Sequence, residues 1–348
     1  MNTNNLEITE DLIRSLPKTD LHCHLDGSLR VQTMLELAEE QGVSLPADNV
    51  EDLENIIYSG RERHKSLADY LKVFDLTLSV LQTAPALERV AFELAEDQWN
   101  DGVRLLEVRF SPVLNIEKGL TLTDTIEAVK SGLHKAEVKY GIMTGIIVCG
   151  IRSIGAETSL ILAELAVAYK NRGVVGYDLA GQEENYPAKD HMEAFYLTLN
   201  NNLNLTIHAG EAYGPESIHQ AIHYCGAHRI GHGTRTKEDG DILNYINDHR
   251  IPLEMCITSN VQTGSVSSFE SHPIKYYYDL GLRVTINTDN LLVSNTTVSK
   301  EFMVAHKYYG FDINDFKEII IFGFKSAFLP YKDKRRLVRD VVEELAKF

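Results

Sequence analysis

Apolar residues along the chain fall into two alternating patterns. Short runs rich in β-branched residues end in polar groups, and amphipathic stretches of helical length follow them. The runs predict strands at 19–25 (TDLHCHL), 103–110 (VRLLEVRF), 143–151 (MTGIIVCGI), 174–180 (VVGYDLA), 204–209 (NLTIHA), 229–232 (RIGH), 252–258 (PLEMCIT) and 282–288 (LRVTINT). Helical patterns lie between them at 85–100, 121–140, 157–172, 190–202, 214–226 and 238–249. In ETSLILAELAVAYKNRG, Leu162, Leu165, Ala166 and Tyr169 share one face, and Gly173 sits where a helix C-cap is expected.

Strands alternating with helices imply parallel strands joined by crossovers, and eight of them predict a (β/α)8 TIM-type barrel. A doubly wound open sheet shares the alternation, but no Gly-rich GxGxxG follows any strand, so its usual nucleotide-binding reason is missing. The first connection, about 75 residues, is long for such a fold and carries helical patterns, including SLADYLKVFDLTLSVLQ at 66–82. This predicts a helical insertion at about 45–82 over the barrel mouth, either a lid or a static cover. Extra C-terminal helices are expected at 299–309, 313–328 and 333–347. With no linker, low-complexity tract or repeat, residues 1–348 read as a single domain.

Composition narrows the partners. The chain is 44% hydrophobic and 24% charged, with a formal net charge of −16. An acidic chain gains no counterion-release energy on nucleic acid and is repelled by anionic membranes, so neither is an expected partner. The N-terminus lacks a basic flank before an apolar run, and no stretch is long and apolar enough to span a bilayer. The four cysteines, Cys23, Cys149, Cys225 and Cys256, are scattered without CxxC spacing and read as buried, reduced thiols. The expectation is a cytoplasmic protein acting on a small molecule, as a monomer or weak homo-oligomer.

The reactive face of such a barrel is the C-terminal end of its strands. Strand one ends in His22-Cys23-His24-Leu25-Asp26, strand four at Gly181 and strand five in His208-Ala209-Gly210-Glu211. Strand six ends in His232 and strand eight in Asp289-Asn290. Residues two apart on a strand share a face, roughly 6.6 Å apart, so His22 and His24 can converge on one ion while Cys23 points away. His208 and Asp289 complete a set of three imidazoles and one carboxylate. That set suits Zn²⁺, and Fe²⁺, Mn²⁺ or Co²⁺ could also occupy it. Two-metal barrel hydrolases commonly bridge their ions with a modified lysine ending strand four. Here VVGYDLAGQ has no lysine, which favours one ion per chain. Glu211 can reach a substrate without binding the ion, or simply open the next helix. His232 lies between glycines in RIGHGTR, which let the backbone approach a ligand closely. The other nine histidines, His272 among them, read as surface or structural, and Tyr276-Tyr277-Tyr278 as helix packing.

The stretches TDLHCHLDGSLR, SLADYLKVFDLTLSVLQ, LEVRFSP, YDLAGQE, HAGE, RIGHG, TSN and INTD run in order from about residue 17 to 295, and together they resemble the adenosine deaminase family. The resemblance implies zinc-dependent hydrolytic deamination of adenosine and 2′-deoxyadenosine in purine salvage. It implies that protonated Glu211 donates to purine N1, and that His232 orients and deprotonates the attacking water and stabilises the adduct. His24 would also face the substrate. The Gly181 backbone would contact N3, and Asp26 would bind the ribose 5′-hydroxyl. The family usually ends strand eight with two aspartates, the second contacting N7, whereas this chain carries Asp289-Asn290. An asparagine amide donates without needing to be protonated, so a purine is still accommodated. Deamination of adenine, or of a modified adenosine such as aminodeoxyfutalosine, is the alternative. A phosphoester or amide hydrolase would need a bridging lysine or a second metal set, neither of which is visible, and a metal-free binding protein is disfavoured because all four proposed ligands, Glu211 and His232 are present.

Overall fold

The computed structural model describes residues 7–59 and 70–348; residues 1–6 and 60–69, with His64 and the start of the 66–82 pattern, lie outside them. Eight strands form one parallel series in chain order: β1 Lys18–His24, β2 Val103–Phe110, β3 Met143–Ile151, β4 Val174–Ala180, β5 Asn204–Ala209, β6 Arg229–His232, β7 Leu253–Met255 and β8 Val284–Ile286. The chain past β8 returns to β1. The His24 amide donates to the Asp289 carbonyl (2.7 Å) and the Asp289 amide to the His22 carbonyl (2.8 Å), which draws the barrel towards closure.

Helices cover the outside because the strands are apolar on that face. Helix Ala84–Asn100 buries Leu87, Val90, Ala91 and Leu94, with Thr83 as its N-cap. Helix Leu122–Tyr140 opens with a capping box between Thr121 and Asp124. The two pack tightly at Gly132, where an added Cβ would lie 2.1 Å from the Glu88 carbonyl oxygen. Cys23 points to this layer, with its sulfur 3.8 Å from Gln98 Nε2, and all four cysteines are buried and free.

The insertion after β1 contributes helices Val31–Gln41, Val50–Ser59 and Phe74–Val80. C-terminal helices follow at Val298–Tyr309, Ile313–Ser326 and Tyr331–Leu345. No helix among the described residues is long and apolar enough to cross a membrane.

Several element ends differ from expectation, two of them with a visible cause. The helix expected at 157–172 ends at Ala168, capped by Tyr169, and Gly173 is no C-cap. Asn171 (φ 63°) and Gly173 (φ 114°) instead turn the chain back into β4, because the Arg172 and Val174 amides both donate to the Tyr169 carbonyl. The strand expected at 252–258 stops at Met255, and Ile257–Gln262 is a short helix. There the buried Glu301 carboxyl accepts the Thr258 amide at 3.0 Å, and the Ser259 and Asn260 side chains reach Asp289 and His232.

The barrel interior is charged rather than apolar. Arg229 bridges Glu107 and Glu254, and Arg109 bridges Glu254 and Asp178, all nearly or fully buried. Deleting one member of such a lattice strands a charge in low dielectric, which typically costs about 3–5 kcal/mol.

Candidate active site

The ends of β1, β5 and β8 bring His22, His24, His208 and Asp289 together, with one ligand atom from each lying within 4.8 Å of the others. His24 Nε2 and His208 Nε2 stand 3.1 Å apart, and Asp289 Oδ1 lies 3.4 Å from His22 Nε2 and 3.5 Å from His24 Nε2. Nitrogens converging this closely need a shared proton or a cation between them. His22 Nε2 is buried without a hydrogen-bond partner among the described residues, which would cost about 1–3 kcal/mol if nothing met it. The donor set therefore fits a divalent ion.

Three of the four candidate ligands, His22, His208 and Asp289, are held from behind. His22 Nδ1 meets Glu254 Oε2 at 2.9 Å, and His208 Nδ1 meets Asp178 Oδ2 at 3.0 Å. These contacts place the ring protons on Nδ1 and leave Nε2 to the ion. Ser259 Oγ donates to Asp289 Oδ2 at 2.5 Å. Burial alone would raise the two carboxyls, but His208 and Arg109 hold Asp178 below its ordinary range, and Arg109 and Arg229 hold Glu254 well below.

The remaining expected residues surround the same cavity, of about 410 Å³, a size suited to a small ligand. His24, Asp26, Gly181, His208, Glu211, His232, Asp289 and Asn290 all line it. Burial, then the charges of Asp289 and Glu183, push the Glu211 carboxyl well above its ordinary range. Glu211 Oε2 lies 3.5 Å from His232 Nε2. Asp26 is pushed up to about 7 by burial and by Asp289, and its Oδ1 is buried without a partner among the described residues. Asn290 Nδ2 donates to the Tyr70 hydroxyl at 2.9 Å, while its Oδ1 is also unpartnered.

His232 reaches the cavity by an unusual backbone. Gly231 faces the barrel axis, where an added Cβ would lie 3.0 Å from the His22 ring. Strand alternation would then turn His232 outward, but φ of 64° at His232 and 65° at Gly233 bring its ring back inward. Its ring centroid lies 4.8 Å from that of His22.

Several supporting residues were not anticipated from sequence. Glu183 is buried and accepts four backbone amides, from Gly210 (2.7 Å), Glu211 (3.0 Å), Ala212 (2.7 Å) and Tyr213 (3.0 Å). It thereby fixes the loop that carries Glu211. Asn260 contacts His232 and His272, and Ser259 reaches Asp289. The insertion contributes Tyr70, Leu71, Lys72, Phe74, Asp75 and Leu78 to the cavity wall, so it does cover the mouth. Of the tyrosine triplet, Tyr277 is fully buried in helix Ile274–Asp279, as helix packing predicts.

Comparison with known proteins agrees with this arrangement. A family model described as adenosine deaminase matches residues 17–344. Adenosine deaminase 1 of Streptomyces coelicolor is 41% identical over 96% of this chain and 88% of its own length. Adenosine deaminase of Clostridium kluyveri is 39% identical over 96% of both. A probable adenosine deaminase of Dictyostelium discoideum is 42% identical over 99% of this chain, which spans only 44% of that protein. Among solved structures, an Arabidopsis N6-mAMP deaminase aligns with a TM-score of 0.86 at 28% identity, covering 96% of this chain and 99% of that one. An adenine deaminase of Arthrobacter aurescens shares the fold, with a TM-score of 0.88 at 24% identity over 95% of this chain and 99% of that one. The chain belongs to the adenosine deaminase family of hydrolases.

Proposed function

We propose that this chain deaminates adenosine and 2′-deoxyadenosine, using one zinc ion held by His22, His24, His208 and Asp289. The observation that carries this reading is a buried Glu211, its carboxyl pushed well above its ordinary range, facing the same cavity as a three-histidine, one-aspartate cluster. Bound zinc would lower the pKa of water towards about 7 and so supply a nucleophile at neutral pH.

The residues of the chain do the rest. Glu211 gives its proton to purine N1, which draws electrons from the ring and makes C6 accept an oxygen. His232 Nε2 faces the site of that addition, and the Gly181 backbone meets N3. The balance closes simply. Water supplies the C6 oxygen and two hydrogens, one ending on N1 through Glu211 and one on the departing ammonia. Asp26, buried with an open acceptor, takes the ribose 5′-hydroxyl. Asn290 offers an amide to N7.

The cavity favours a nucleoside over a nucleotide. Lys72 is the only lysine or arginine among the described residues lining it, and Asp26 and Asp75 line it too. A 5′-phosphate would meet carboxyls at the position proposed for the 5′-hydroxyl. Relatives named adenosine deaminase support the same substrate.

The test is ammonia release from adenosine, 2′-deoxyadenosine, adenine, AMP and a 5′-substituted adenosine by zinc-loaded protein. Adenosine and deoxyadenosine should turn over fastest, and Glu211→Gln should lower kcat by about 10³-fold with zinc retained, since a general acid is typically worth 10²–10⁴. Release confined to adenine, AMP or the 5′-substituted compound would overturn the role of Asp26.

A further inference from the structure

Behind His232 a chain of buried polar contacts runs to a backbone amide. His232 Nδ1 lies 2.9 Å from Asn260 Nδ2. Asn260 Oδ1 lies 3.0 Å from His272 Nε2. The Ile274 amide donates to His272 Nδ1 at 3.2 Å. All three side chains are buried, Asn260 completely.

The direction of every bond follows from the last one. A backbone N–H can only donate, so His272 Nδ1 must be an acceptor. Burial pushes His272 down to about 3, so its ring is neutral and its single proton sits on Nε2. That proton needs an acceptor, which turns the Asn260 oxygen towards His272 and the Asn260 amide towards His232. The amide donates to His232 Nδ1. A proton on Nδ1 would face another N–H, so the neutral His232 ring carries its proton on Nε2, the nitrogen that faces the cavity beside Glu211.

We propose that Asn260 and His272 are positioning residues that hold His232 as a fixed hydrogen-bond donor at Nε2, rather than as a base. The donor aims at the oxygen that adds to C6 and stabilises the charge that develops there. This departs from the expectation that His232 deprotonates water, and it rests on the deaminase reading for the identity of that oxygen. The device inverts the arrangement in serine hydrolases, where a carboxylate behind the histidine makes the outward nitrogen an acceptor. Here a carboxamide, itself oriented from behind, makes it a donor.

Two measurements test the proposal. In histidine-¹⁵N-labelled protein, with and without zinc, long-range ¹H–¹⁵N correlation should show the His232 proton on Nε2 and none on Nδ1. A proton on Nδ1 in the wild-type protein overturns the relay whatever reaction the protein catalyses. Asn260→Asp replaces the donor with a carboxylate of the same shape and should move the His232 proton to Nδ1. With adenosine it should lower kcat by about 100-fold or more and change KM by less than about 3-fold, with zinc content unchanged, given that tautomer reversal costs about 10⁴ in the serine-protease case. If His232 is a base, the same substitution creates a histidine–aspartate pair and leaves kcat intact or raised, which overturns the donor role. Absence of deamination in the wild type, with the Nε2 proton observed, would refute the substrate reading and leave the relay standing.

Discussion

The floor and the outer wall of the cavity are built differently. On the floor, three of the four candidate ligands are gripped from behind. His22 leans on Glu254, His208 on Asp178 and Asp289 on Ser259, and Arg109 ties the two carboxylates together. The wall comes largely from the insertion, where Leu71, Phe74 and Leu78 line the cavity together with Leu114 from the loop after β2. Apolar side chains of this kind pack without directional bonds. The floor fixes geometry for chemistry, which tolerates little misplacement, whereas the wall excludes water and sets shape. Asn290 joins the two, lying beside Asp289 and bonded to Tyr70 of the insertion.

This division predicts graded effects. Glu254→Gln keeps the shape but removes the charge behind His22, and zinc affinity should fall about 100-fold, the upper end for losing such a partner. Competition with a chromogenic chelator measures this, and unchanged affinity would mean the floor is not electrostatically buttressed. Glu183→Gln should come next. One carboxamide oxygen cannot accept the four amides that Glu183 now accepts, so the Glu211 loop loosens. The expected loss in kcat is about 30-fold, within the range for a misplaced general acid, with faster amide hydrogen exchange at 210–213. Asn290→Leu, at the junction, should lower kcat/KM for adenosine about 10-fold for one lost hydrogen bond in a buried site, with metal content unchanged. Equal efficiency in that variant would remove the N7 contact. On the wall, Phe74→Ala should raise KM roughly 5-fold, about 1 kcal/mol of partial apolar burial, and leave kcat within about 2-fold.

The floor was legible in the sequence to the depth of its first layer. His22, His24, His208 and Asp289 stand at strand ends, where period-two alternation and barrel topology together decide which groups converge. The eight strands were legible for the same reason, since β-branched runs bounded by turns carry their own signal. The second layer was not, because its pairs join residues with no local relation, such as Arg109 with Glu254. One signal was available. Glu107, Arg109, Asp178, Arg229 and Glu254 are charges set within apolar parallel strands, and charges buried there must pair with one another. The His232 relay left no such trace. Asn260 lay two residues past the run at 252–258 that read as strand, and His272 looked like any loop histidine. The wall was legible only as an insertion, since the places of Tyr70, Phe74 and Leu78 depend on how that segment folds back.

The seam between β1 and the chain past β8 has a consequence for assembly. His22 and His24 come from the first strand and Asp289 follows the last, and backbone bonds between His22, His24 and Asp289 close the barrel where the ion would sit. A nascent chain lacking its last strand would present three histidines beside an open sheet edge, with neither the carboxylate nor the closure that gathers them. The contacts at this seam are among the longest in sequence that the fold makes, so their closure carries a large loop-closure cost. Metal capture then reports completion: an ion held by all four groups favours the finished barrel over every shorter or open intermediate, by an amount set by its free concentration.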